Sequence, residues 1–286
     1  MTMWTRVLTL ACSACLLIAA TPQQDSTAQG LWKSLLQASQ PTRPGSQRKP
    51  VSAFDLTFDG RARKGKQVND FNKMRYRFLA PEWVRTTMES GVERMRGPEG
   101  DWLFDRKKKD KIRLAGRDFA QDRRELGDFQ NIARNFVNLT DPARLDVRDM
   151  RFLPSAPVAV PRSLSKRAAQ LDWIEVTSPD FRLTRSQAPG PGAQFKAQLG
   201  LDKRDHLPRL AIIWEDDAGR ILWESALCVE LDQFHRLDDF QVPIVMRTYP
   251  PAEGGTFADR WDLQVWLIVK GASLRAKLSA RDFVPG

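Results

Sequence analysis

The sequence predicts a mainly β chain of the α+β class, with about ten or eleven antiparallel strands and one helical insertion. Three observations lead there. Apolar and polar residues alternate through most of the chain, which is the period of a half-buried strand. One stretch, 118–139, departs from that period and places apolar residues three and four apart. Turn signals such as Asp59-Gly60, Ser90-Gly91 and Asp217-Ala218-Gly219 punctuate the alternation. Hairpins at this spacing favour a barrel or a strongly curved sheet. No repeat of 20–50 residues is visible, which argues against a solenoid or propeller.

Taken in order, Leu31, Trp32, Leu35 and Leu36 give the segment 30–39 an amphipathic helical spacing. Residues 40–50 hold three prolines and read as a linker. Phe54, Leu56 and Phe58 then alternate with Asp55, Thr57 and Asp59. Met74, Tyr76 and Phe78 alternate with Arg75 and Arg77, and a strand at 83–88 follows Ala80-Pro81. Val92, Arg94 and Arg96 form the next, then a tight turn at 97–101, then Trp102-Leu103-Phe104. In the helical insertion, Phe119, Leu126, Phe129, Ile132, Ala133, Phe136 and Val137 share one face. Asp118 is its predicted cap, and Asp122 favours the first turn. Thr140-Asp141-Pro142 starts a second predicted helix, with Leu145, Val147, Met150 and Leu153 inside. A loop at 154–162 precedes strands at 171–176, 181–184, 195–201, 209–215, 221–230, 242–248, 262–269 and 273–278, with a Pro/Gly loop at 188–192.

The first six residues carry one positive charge, and residues 7–20 carry none. That apolar run is shorter than the roughly 20 residues of a spanning helix, so 1–28 reads as a signal peptide. Small residues offer a cut after Ala28 or after Ala20; an uncleaved anchor is the alternative. Lipidation at Cys12 or Cys15 fits poorly, because the apolar run continues past both. Removing 1–28 takes Arg6 and Asp25 together, so the net charge stays at +10. Only Cys228 then remains of three cysteines, excluding an internal disulfide. Its apolar surroundings make it a small buried hydrophobe.

The 45 basic residues exceed the 35 acidic ones, with basic clusters at 61–66, 106–117 and 162–167. Export argues against nucleic acid as the partner. Phosphate head groups, anionic envelope polymers or an acidic protein fit better, as does a merely solvated face. The segment Arg106 to Lys111 reads as a solvated hairpin tip. No nucleophile elbow, phosphate loop, zinc motif or dinucleotide fingerprint is present. His206 and His235 sit in loop-like surroundings beside Asp or Arg. The carboxylate runs Glu215-Asp216-Asp217 and Asp238-Asp239 read as turns, where Asp satisfies backbone groups. No cofactor is called for.

The order of elements, with Phe78-Leu79-Ala80-Pro81-Glu82-Trp83-Val84-Arg85 and the stretch Gly97 to Asp105, resembles the periplasmic lipoprotein carriers of the LolA/LolB type. Trp102 and Phe104 occupy the aromatic places of that family's Gly-to-Asp strand. Val242-Pro243-Ile244 resembles its late strand, and Asp282-Phe283-x-Pro285 its ending. The resemblance runs from Leu31 to the end, with an extra segment at 155–210. It implies one domain over 29–286: a half-open, strongly curved sheet whose concave face is covered by helices, with a lid insertion at about 118–153.

Such a fold implies a non-catalytic envelope protein that holds acyl chains of lipids or lipoproteins. The cavity candidates are Phe119, Leu126, Phe129, Ile132 and Phe136 on the lid, and Trp83, Trp102 and Phe104 on the sheet. Envelope membrane proteins are further partners, and the chain reads as a monomer. A structural, adaptor or sensor protein of the same fold without cargo, and an enzyme using carboxylates on envelope material, are the competing readings.

Overall fold

The computed structural model describes residues 26–41, 49–181, 194–217 and 220–285. The predicted signal segment up to residue 25, most of the linker, the Pro/Gly loop and the turn at 218–219 lie outside the described residues.

Helix α1 (Ser26–Ser39) leads into strands β1 (Ala53–Lys64), β2 (Gln67–Leu79), β3 (Trp83–Thr87), β4 (Val92–Gly97), β5 (Gly100–Asp105) and β6 (Asp110–Arg113). Helix α2 (Ala120–Thr140) follows, then β7 (Asp149–Leu153), the short α3 (Ser165–Ala168) and β8 (Leu171–Thr177). Strands β9 (Gln194–Asp202), β10 (Pro208–Asp217), β11 (Arg220–Ile221), β12 (Leu227–Leu237) and β13 (Phe240–Tyr249) continue the meander. A small ribbon of β14 (Pro251–Ala252) and β15 (Thr256–Phe257) precedes β16 (Leu263–Ser273).

Fourteen strands form one sheet in the order β6-β5-β4-β3-β2-β1-β16-β13-β12-β10-β9-β8-β7, with β11 beside β10. All of these pairings are antiparallel. Among the described residues β6 and β7, the two ends, do not pair with each other, so the sheet is open rather than a closed barrel. The predicted mainly β, antiparallel architecture therefore holds, with more strands than the ten or eleven expected.

Alternation sorts side chains onto two faces. Phe54, Leu56 and Phe58 of β1, Tyr76 and Phe78 of β2 and Val84 of β3 meet Leu126, Ala133, Phe136 and Val137 of α2 in one apolar cluster. Farther along the same face, Phe195, Ala197, Leu199 and Leu201 of β9 pack with Ala28 and Leu35 of α1. On the opposite face Trp173, Leu210, Ile212, Trp214 and Cys228 are covered by the segment carrying Val160, Leu164 and Ala168. Strands β8 and β10 are thus buried on both sides, as their nearly continuous burial records, whereas β9 alternates over its first half. Burial raises the Cys228 thiol well above its usual range, which agrees with a small buried hydrophobe.

That opposite face also carries an ionic cluster. Glu230, buried on β12, accepts from Arg167 of α3 at 2.5 Å, from Arg247 of β13 at 3.0 Å and from the Tyr249 hydroxyl at 3.0 Å. Arg167 therefore works inside the protein, whereas the predicted tip at 106–111 is exposed along its whole length.

Several local expectations differ. Met150 to Leu153 is a strand, not the inner face of a second helix; after Pro142 the chain makes only one 3₁₀ turn, 142–144. Met150 and Phe152 alternate into the cluster beneath α1 while pairing with β8. Phe119, not Asp118, occupies the cap of α2, without a side-chain hydrogen bond. The predicted strand 221–230 is broken by a 3₁₀ turn at 223–225, and 273–278 leaves the sheet after Ser273. Glu215 and Asp216 lie within β10 rather than in a turn, where Lys196 binds Asp216 at 2.6 Å. His235 is in β12 rather than a loop. Asp238 does serve a turn, accepting from the Leu274 backbone at 2.7 Å. Ala28 is wholly buried within α1, so of the two candidate cuts only the one after Ala20 leaves that helix whole.

Candidate functional site

Between α2 and the sheet lies a cavity of about 490 Å³. Its floor is built from alternating strand residues. Phe54 and Phe58 come from β1, Met74 and Tyr76 from β2, and Leu263 and Val265 from β16. Met246 of β13 and Leu227, Val229 and Leu231 of β12 complete it. Strand β4 contributes Arg94, and six strand spacings separate β4 from β12. A flat sheet would set them about 29 Å apart at ~4.8 Å per strand. Sharing one cavity requires the sheet to bow around it, so this is the concave face.

The roof is α2, through Ile132, Phe136 and Leu139. Phe136 sets its edge on Phe54 with ring centroids 5.6 Å apart and on Phe58 at 6.5 Å. Gly60 serves the floor by being small: a Cβ there would fall 2.2 Å from Cζ of Phe71, whose ring lies over it and reaches the cavity. The register of β1 and β2 also slips between Phe58 and Gly60, which re-aims Phe71. Tyr76 offers its ring to the cavity; burial raises its hydroxyl well above the usual range, offset in part by the Ala133 backbone. The polar side chains at the wall are few: Arg94, Asp128, Asn135, Thr140, Thr248 and Asp262.

Polar bonds on the outer side of α2 hold the roof down. Gln130 donates to the Glu82 carbonyl at 2.9 Å and accepts from Arg96 at 3.0 Å. Arg134 donates twice to the Pro81 carbonyl, at 3.2 and 3.1 Å. At the far end Asn138 donates to the Asp180 carbonyl at 2.9 Å, and the Val51 amide donates to Asp141 at 3.1 Å.

The residues predicted for the site divide. Ile132 and Phe136 line the cavity. Leu126 and Phe119 join the apolar cluster under α2 without reaching the cavity wall. The Phe129 side chain lies outside what the structure describes. Trp83, Trp102 and Phe104 are on the wrong face of the sheet. Leu103, between the last two, packs into the cluster under α2, which turns Trp102 and Phe104 outward. Trp102 there lies under the Arg113 guanidinium, 5.9 Å from its ring centroid. Trp83 meets Phe283 of the C-terminal turn, centroids 6.2 Å apart.

Sequence reasoning missed the β12 leucines, Met74, Met246 and Arg94 as site residues. Arg94 left a signal: with Val92 and Arg96 it alternates along a strand, so two arginines face the side that elsewhere is apolar. Among the described residues no group of three His, Cys, Asp or Glu side chains could hold a metal ion.

No protein-family model and no curated protein matches the chain. Solved structures similar to it include a domain described as an outer membrane lipoprotein-sorting protein from Vibrio parahaemolyticus, at 11 % identity and a TM-score of 0.45, covering 90 % of this chain and 96 % of that one. A LolA superfamily protein of Nitrosomonas europaea (16 % identity, TM-score 0.46) and a DUF1329 family protein of Desulfovibrio piger (14 %, 0.46) each cover 90 % of this chain and match over 97 % of their own. The likeness is one of overall fold and says nothing about a ligand.

Proposed function

We propose that this protein is a non-catalytic binding protein of the cell envelope that holds acyl chains of lipids or lipoproteins between its curved sheet and α2. One observation carries this reading: the apolar cavity under a helix that is fastened by a few polar bonds along its outer edge. Burial of each methylene from water contributes about 0.8 kcal/mol, so an acyl chain supplies ample affinity without any reacting group. A volume of 490 Å³ falls in the range of ligand pockets, about 300–1,000 Å³, rather than of packing defects. The charged start and short apolar run of the N-terminus support export to the periplasm, and the basic surface suits anionic envelope partners better than nucleic acid.

Mass spectrometry of organic extracts from the natively purified protein tests the reading. A stoichiometric acyl lipid in the extract is the expected result. An empty extract, together with no uptake of alkyl probes by the purified protein, would overturn it.

A further inference from the structure

Resting on the acyl-chain reading, we infer that the cavity takes one single-chain amphiphile whose anionic head, a carboxylate or a phosphate, is read by Arg94. The volume sets the chain count. A methylene fills about as much space as a water molecule, ~30 Å³, so 490 Å³ holds about sixteen of them. That is one long acyl chain, not two or three. The shape agrees: α2 lines the cavity from Asp128 to Thr140, thirteen residues that span about 18 Å of helix. This is a slot for an extended tail.

The head group follows from the contrast between two arginines two residues apart on β4, facing the same side. Arg96 is fully used. It makes a bidentate pair with Asp101, both bonds 2.8 Å, and bonds Gln130 at 3.0 Å. Arg94 is not. Its one ion pair, with Glu125, is 3.5 Å long and Glu125 is 40 % exposed, a pair that adds little and exchanges readily. Its Nε is buried and meets no acceptor. A buried donor without a partner is costly to leave unmet. The guanidinium has the fork geometry that suits a carboxylate or phosphate oxygen. Asp128, which also stands in the wall, has an interaction of its own. An amphiphile with its tail along α2 and its head at β4 would satisfy the Arg94 donor and fill the slot together.

The test compares three probes of equal tail length, myristate, tetradecyl phosphate and uncharged tetradecanol, on the wild type, Arg94→Gln and Arg94→Lys. Thermal melts show that each variant folds. The wild type should bind one or both anions at least tenfold more tightly than the alcohol, with one probe per chain. Arg94→Gln should erase that preference, and Arg94→Lys should restore part of it. The tighter anion tells a fatty acid from a lysophospholipid-type head. Equal affinity for anion and alcohol, two or more probes per chain, or an anion preference that survives Arg94→Gln would overturn this inference while leaving acyl binding standing. Failure of all three probes on the wild type would overturn the acyl-chain reading itself and this inference with it.

Discussion

Arg134, on the outer side of α2, donates two hydrogen bonds to the carbonyl of Pro81, which lies in the turn between β2 and β3. One turn earlier on the same helix Gln130 donates to the carbonyl of Glu82. The segment 80–82, noticed in the sequence for its resemblance to a carrier motif, is thus the strike plate for the helix that roofs the cavity.

These bonds are exposed, so removing them should loosen the roof without unfolding the sheet. Net contributions near 1 kcal/mol per bond give an expected loss of about 1–3 kcal/mol for Gln130→Ala with Arg134→Ala. Stopped-flow release of a bound alkyl probe should accelerate several-fold. An unchanged release rate would show that α2 does not gate the cavity.

Ile132 lines the cavity yet is 37 % exposed. Ile132→Asp should therefore keep the fold, with a melt within a few degrees of the wild type, because the carboxylate keeps water on one side. Probe affinity should drop at least tenfold, since the tail must then pack against a charge. A collapsed melt would mean that α2 is permanent core; retained affinity would put the ligand elsewhere.

Glu230 holds two arginines and a tyrosine on the far side of the sheet, with 7 % of its side chain exposed. Glu230→Ala removes the carboxylate that Arg167 and Arg247 share and leaves Arg167 with its 3.4 Å contact to Asp232. Breaking a buried pair from one side costs about 3–5 kcal/mol, so denaturant melts should shift strongly. Alkyl binding per folded molecule should be unchanged, because the cluster and the cavity are on opposite faces.

The carboxyl of Asp282 sits below its ordinary range because the Ser279 amide bonds it first of all, with the Ser279 hydroxyl and the charges of Arg77 and Arg85 adding to the effect against partial desolvation. A depressed value means that the ionised form is favoured by folding. Its contribution is complete above the ordinary carboxylate value of 3.8 and fades as the pH falls below it. Hydrogen exchange intrinsically slows as the pH drops from 5 to 3, and in the turn 279–284 it should slow by less than that chemistry predicts, leaving an excess of exchange at pH 3. Asp282→Asn should abolish that excess.

Processing has its own check. A form beginning at Thr21 retains α1, whereas one beginning at Gln29 loses Ala28, which is packed at 0 % exposure beside Leu35. The shorter form should melt several degrees lower, and the N-terminus of the exported protein should be Thr21.

What the sequence made legible was the periodic part. Phe54, Leu56 and Phe58 announce β1 by alternation, and the spacing across 118–139 announces α2 within two residues of its bounds. Face was harder. Trp83, Trp102 and Phe104 are large and aromatic, but one residue of register decides whether a strand side chain meets the cavity or its reverse, and that register belongs to partners far away in sequence. The floor from β12, with Leu227, Val229 and Leu231, was invisible for the same reason: β12 reaches the cavity only because the sheet bows. Met150 misled because a strand of five residues carries too little pattern to tell period two from period three or four.

A sheet that stops short of closing has two rims, β6 and β7 among the described residues, and those are where another chain could add itself. Strand β6 is only four residues long and reads Asp110-Lys111-Ile112-Arg113, with every residue but Ile112 exposed. Strand β7 is five residues long and exposes Asp149 and Arg151. Short, charged borders of this kind discourage edge-to-edge polymerisation. A handful of charges at the two rims, rather than anything in the interior, thus stands between an open sheet and its use as a template for fibres.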